Sequence, residues 1–201
     1  TMENIKNKIL LLSSSDNSGA YEALYRLGKH FVLQGYQVKM LVKTKTKSDD
    51  FIITYSEVTK PYKRKSLFQR FLIKIKKEFF KKKEVTKVKF DSNYDFISID
   101  ESTVNVSVTS ILNLIGFTPN IIYSGMTDGF MNSTDFLNLQ QLTKAQVYNI
   151  TVDMNHFTGG CHFAWDCKGY IVGCSRNCPA IVSDYGKDIP KRNFDIKLSN
   201  A

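Results

Sequence analysis

The feature that most constrains this chain is the strand, loop, helix, glycine, strand order of its first 42 residues. Residues 8–13 (KILLLS) form a short apolar run ending in small polar residues, as a strand buried on both faces does. Residues 14–20 (SSDNSGA) read as a loop. Tyr21, Leu24, Tyr25, Leu27, Gly28, Phe31 and Val32 then recur at helical spacing, and Gly35 stops the run before a second strand at 37–42 (QVKMLV). This is one βαβ unit, which calls for a parallel sheet.

The second half repeats the alternation. Strands are predicted at 94–99, 120–124 and 146–152, with helices at 104–115 and 134–142. The expected fold is therefore α/β, a Rossmann-like parallel sheet with helices on both faces. At 201 residues, 42% of them hydrophobic, the chain can bury a core and fits one large domain over 1–201. Ligands are expected at the carboxyl ends of the strands, where loops 13–20, 124–130 and 153–160 would gather, with Asp128, Gly129 and Phe130 within reach of the cleft. Thr1 and the closing Ser199, Asn200 and Ala201 read as additions without weight in the fold.

The formal charge of +9 is not spread over the chain. Residues 60–89 hold 13 of the 28 Lys+Arg and 2 of the 19 Asp+Glu, so this segment carries +11 and the remainder −2. Leu67, Phe68, Phe71, Leu72, Ile75, Phe79 and Phe80 fall at three- and four-residue steps, with Lys74, Lys76, Lys77, Lys81, Lys82 and Lys83 among them. Such a helix either packs its apolar stripe on the sheet with solvated lysines, or lies on an anionic membrane, or lines a polyanion groove. In the membrane case Phe68, Phe71, Lys74, Ile75, Lys77, Phe79, Lys81 and Lys82 make the contact. No aromatic-basic ribonucleoprotein pattern supports nucleic acid. No run reaches the roughly 18 apolar residues of a membrane span, and the start is too short for a secretory signal, so a cytoplasmic location is expected.

Three places have residues suited to chemistry. The 16–20 loop (DNSGA) before a helix can bring backbone N–H groups to a phosphate or sugar, or can be a plain turn capped by Ser18. Cys161, Cys167, Cys174 and Cys178, all the cysteines of the chain, fall within 18 residues. They suit a structural zinc clamp, although neither pair has the usual C-x2-C spacing; two disulfides and free thiols are the alternatives. Residues 153–162 (DMNHFTGGCH) join Asp153, His156, Thr158, His162 and two adjacent glycines after the last predicted strand. That set can grip a polar acceptor and move a proton, or simply form a capped turn.

The run Phe157-Thr158-Gly159-Gly160-Cys161-His162, with spaced cysteines through Gly173-Cys174 to Cys178-Pro179, resembles the amino-terminal domain of bacterial glycosyltransferases of family 4. These enzymes build capsule, O-antigen and exopolysaccharide. Ser18-Gly19-Ala20, Arg26-Leu27 and Gly35-Tyr36-Gln37-Val38 are similar to that family's Gly-Gly-Ala loop, helix and glycine-bounded second strand. The likeness spans the chain apart from the basic insert at 60–89, and the Cys-rich loop at 157–179 is its most specific part.

The resemblance implies a GT-B architecture in which this amino-terminal domain takes a glycan or polyprenyl-linked acceptor. A carboxy-terminal domain takes the nucleotide-sugar, with retention at the anomeric carbon. No donor domain or Glu-x7-Glu pattern follows Pro179 in this sequence, so the chain alone is expected to transfer no sugar. Carried over, Ser18, Gly19, Ala20, Phe157, Thr158, Gly159 and Gly160 bind the acceptor, and Asp153 and His156 are the catalytic candidates. Val152 stands where the family has a histidine, and His156 where it has proline. The implied place is the inner face of the cell membrane, peripherally bound.

Overall fold

The computed structural model describes residues 7–17, 19–55, 88–97 and 100–201. The described part of the fold is α/β, with five strands in one all-parallel sheet flanked by helices, a Rossmann-like arrangement. β1 (Lys8–Ser15), β2 (Gln37–Thr44), β3 (Ile52–Thr54), β4 (Ile121–Ser124) and β5 (Gln146–Asn149) lie in the order β3-β2-β1-β4-β5. β1 is central, with Leu11 level with Met40 of β2 and with Tyr123 of β4. The connectivity reverses at β1, so the switch point lies between β1 and β4.

β1 is apolar at successive positions because both its faces are covered. Ile9 and Leu11 face one core with Leu24, Val38, Met40 and Phe51; Leu10 and Leu12 face the other with Leu41, Ile111, Ile122 and Leu139. α1 (Ala20–Leu33) covers the first face and needs a glycine to do so. A Cβ on Gly28 would stand 2.5 Å from Leu11 and 2.7 Å from Phe51. α2 (Val108–Ile115) and α3 (Ser133–Thr143) cover the second face. Each starts at a side-chain cap: Ser107 accepts from the Ser110 N–H, and Asn132 and Asp135 cap one another reciprocally. The Ser107 cap moves the start of α2 from the expected residue 104 to 108.

Residues 94–97 of the strand expected at 94–99 are not part of the sheet, and 98 and 99 lie outside the described residues. Phe90 and Phe96 form isolated antiparallel bridges to Ile181 and Cys161, Ile97 N–H donates to Gly160 O, and His162 N–H donates to Asp95 O. The apolar alternation there serves a small separate unit around the cysteines, whose core is Phe96, Cys161, Ala180 and Ile181. The fifth strand is β3, a three-residue piece absent from the sequence-based expectation, and β5 ends at Asn149 instead of 152.

After the cysteines come α4 (Gly169–Val172) and α5 (Ile189–Asn200). Ser199 and Asn200 do carry weight in the fold: they belong to α5, and the Asn200 amide donates to Ser133 and Thr134. Among the described residues no helix is long and apolar enough to cross a membrane. Residues 60–87 of the basic insert, with all the expected membrane contacts, lie outside the described residues.

Candidate functional site

Three loops meet at the carboxyl ends of the strands, and polar contacts fix them to one another. Asp16, fully buried after β1, accepts from the Thr46 N–H and hydroxyl and the Lys47 N–H at 2.8–2.9 Å. Burial works against its carboxylate, but these donors more than offset it and hold the pKa below the usual value. The loop after β4 is tied down by Ser14, whose hydroxyl donates to Asp128 O, and by Lys43, which donates to Gly129 O. The Tyr21 hydroxyl, at the start of α1, donates to the Asp128 carboxylate at 3.2 Å. Burial and that carboxylate push the Tyr21 phenol up to about 12.

Gly19, and not Ser18, is the N-cap of α1. It has φ 50, is exposed, and has open space where a Cβ would be, and Ala20 begins the helix beside it. Ser18 itself lies outside the described residues.

The third loop follows β5. The Asp153 carboxylate accepts from the Asn155 N–H at 2.9 Å and meets His162 Nδ1 at 2.6 Å, both side chains being almost completely buried. Burial disfavours the Asp153 charge, but His162, the Asn155 N–H and His156 lower its pKa overall. The same carboxylate raises His162 against the effect of burial. His156 moves the other way: burial lowers it, Asp153 opposes, and Lys197 adds to the lowering. Two imidazoles six residues apart are thus shifted in opposite directions, His162 toward its charged form and His156 toward its neutral form. His156 sits on the short 3₁₀ turn Asn155–Phe157 with the Gly125 carbonyl facing its ring, which places it beside the end of β4.

That turn is anchored by a lysine that no local residue pattern marks. Lys197 of α5 donates to Asn155 O at 2.5 Å and Thr158 O at 3.1 Å, and pairs with Glu101 at 3.4 Å, both side chains buried. Glu101 also accepts from the Ser133 N–H.

The expected acceptor wall divides in two. Phe157 is exposed and stands beside Tyr170. Thr158, Gly159 and Gly160 are buried and spend their polar groups internally. The Thr158 hydroxyl donates to Cys161 O and accepts from the Gly160 N–H; Gly159 N–H donates to Cys174 Sγ, and Gly159 O accepts from Asn193. The glycines are required by close packing: a Cβ on Gly159 would stand 2.2 Å from Pro190 O, and one on Gly160 2.6 Å from the Phe96 ring.

All four cysteines are free thiols in one neighbourhood. The Cys161 thiol donates to the Cys178 sulfur, lowering Cys178 to about 7 and raising Cys161. Backbone N–H groups point at the other sulfurs, from Gly159 to Cys174 and from Gly169 to Cys167. Among the described residues, no group of three or more His, Cys, Asp or Glu side chains is placed to hold a metal ion.

Compared with known proteins, the chain matches no family model, no curated protein and no solved structure.

Proposed function

We propose that this chain is the acceptor-binding half of a retaining glycosyltransferase of the GT-B type. It would pass a sugar from a nucleotide-sugar to a lipid-linked or polysaccharide acceptor in bacterial surface glycan synthesis. The observation that carries the reading is His156, biased to the neutral form and set beside Gly125 at the β1/β4 switch point, where α/β sheets bind their ligands. A neutral imidazole there faces an acceptor hydroxyl as a proton acceptor. Asp153, locked to His162, is a positioning residue that fixes the turn carrying His156. The nucleotide-sugar would be held mainly by a second domain.

The basic insert supports a peripheral place at the inner face of the membrane. The chain returns from it at Lys89, which exchanges hydrogen bonds with Val182 and Ser183 of the cysteine unit. Neutralising Lys74, Lys76, Lys77, Lys81, Lys82 and Lys83 together is expected to abolish sedimentation with anionic liposomes; unchanged sedimentation would count against this role. The cysteine loop is proposed to carry structural zinc. Its support is the donor chemistry, four soft sulfurs in one loop with N–H groups aimed at three of them. The sulfurs must turn toward one point to close the site. A chelator that leaves the Tm of metal-quantified protein unchanged would argue for free thiols.

The test of function is sugar transfer by the longest natural reading frame that carries this chain, supplied with nucleotide-sugar and a polyprenyl-diphosphate-linked acceptor. The expected result is turnover, reduced at least a hundredfold by His156→Ala with the fold intact. Val152 in the family's histidine position favours a second reading, a non-catalytic module that binds a polyanion or partner protein. A frame ending near Ala201 without a Glu-x7-Glu pattern would support the module, as would activity indifferent to His156.

A further inference from the structure

A cleft of about 200 Å³ is lined by His156 and otherwise by residues the resemblance does not point to. It opens between α3 and α5 at the outer side of β5. Phe136 and Val147 give it an apolar wall, Gln140 and Asn149 stand at its exposed rim, and His156, Lys197 and Thr127 of the loop after β4 also line it.

Its charges are already balanced. Lys197 spends its donors on Asn155 O, Thr158 O and the Glu101 carboxylate, and Glu101 takes a further bond from the Ser133 N–H. Among the described side chains that line it, an anion would meet no unspent cation and a cation no unspent carboxylate. The side-chain amides of Gln140 and Asn149, in contrast, make no hydrogen bond to any described residue. Each offers a donor pair and an acceptor.

A half-buried aromatic ring with two amides at the same cleft that make no hydrogen bond to any described residue suits a ligand with an apolar face and hydroxyls around its edge. The volume is below the roughly 300–1,000 Å³ of sites that enclose drug-sized molecules, so one ring fills it. We infer that this cleft between α3 and α5 takes one neutral sugar ring of the acceptor, one residue removed from the sugar at His156. The inference rests on the acceptor-binding reading above. In it Phe136 stacks on the ring's C–H face, and Gln140 and Asn149 select hydroxyl pattern.

The experiment is NMR titration of the ¹⁵N-labelled chain with methyl β-glucoside, methyl β-galactoside and N-acetylglucosamine, and with inorganic diphosphate as the anionic control. The neutral sugars are expected to shift the Gln140 and Asn149 side-chain amide signals. A Gln140→Ala/Asn149→Ala variant is expected to weaken that binding about tenfold with unchanged Tm, since both amides are exposed. Sugar-dependent shifts confined to residues 153–157 would overturn the placement while leaving the acceptor-binding reading intact. A response to diphosphate alone would overturn the neutral-ligand assignment. No response to any of the sugars would overturn both the cleft and the reading on which it rests.

Discussion

The sheet and the cysteine unit are held together by different physics. Around β1, two apolar cores of interlocking aliphatic side chains cover both faces, and removal of hydrocarbon from water accounts for the stability. The cysteine unit has a buried apolar core of four residues, and it exposes Phe163, Trp165, Ile171, Val172 and Val182. What orders it is polar and local: the Asp153–His162 pair, the Lys197 anchor, N–H bonds to sulfur and two glycines pressed against neighbours. The residues proposed to do chemistry sit where these two regimes join. A rigid sheet supplies the position, and a polar unit supplies the groups.

Substitutions can break that contrast. The largest loss is expected for Lys197→Met, which leaves Glu101 buried without its partner and frees the His156 turn: about 3–5 kcal/mol by chemical denaturation. Leu11→Ala empties space in a fully buried sheet core and is expected to cost about 2–5 kcal/mol, with one cooperative transition. If hydrogen exchange showed the cysteine unit opening before the sheet in Leu11→Ala as well, the two regions would be less independent than their contacts indicate.

Gly159→Ala drives a methyl group into the Pro190 carbonyl and should cost about 1–3 kcal/mol, with lost exchange protection confined to 153–182 and α5. Asp16→Asn removes charge-assisted bonds from Thr46 and Lys47, a loss of about 1–2 kcal/mol at neutral pH. The folded pKa of Asp16 is depressed, so its contribution is fully present above the unfolded value and disappears as pH falls through the folded one. Acid titration of stability should therefore be flatter in the Asn variant, and an unchanged titration would remove Asp16 from the clamp.

The parts legible in the sequence are those whose burial follows a simple period. β1, α1, β2, β4 and α3 were readable because their apolar residues repeat every one, two or three to four positions. α5 was not, because it buries Pro190, Asn193 and Lys197, a polar set with no apolar period. β3 is too short to leave a pattern, and the 94–97 alternation is real but serves a different partner. In the site, Asp153, His156 and His162 lie within ten residues and were legible together. The switch-point rule places Asp128 near them, whereas Tyr21, Glu101 and Lys197 join them only through chain reversals, which no local spacing encodes.

The central position of β1 also orders the assembly of the molecule in time. Leu11 meets Met40 across 29 residues of chain but meets Tyr123 across 112. The entropic cost of closing the longer loop exceeds that of the shorter by about 1 kcal/mol. The β1–α1–β2 unit is thus the favoured nucleus, and β4 docks on an edge that already exists. The switch point, with the loops that gather above it, does not come into being until that second edge closes, so a chain that stalls in folding stalls without it.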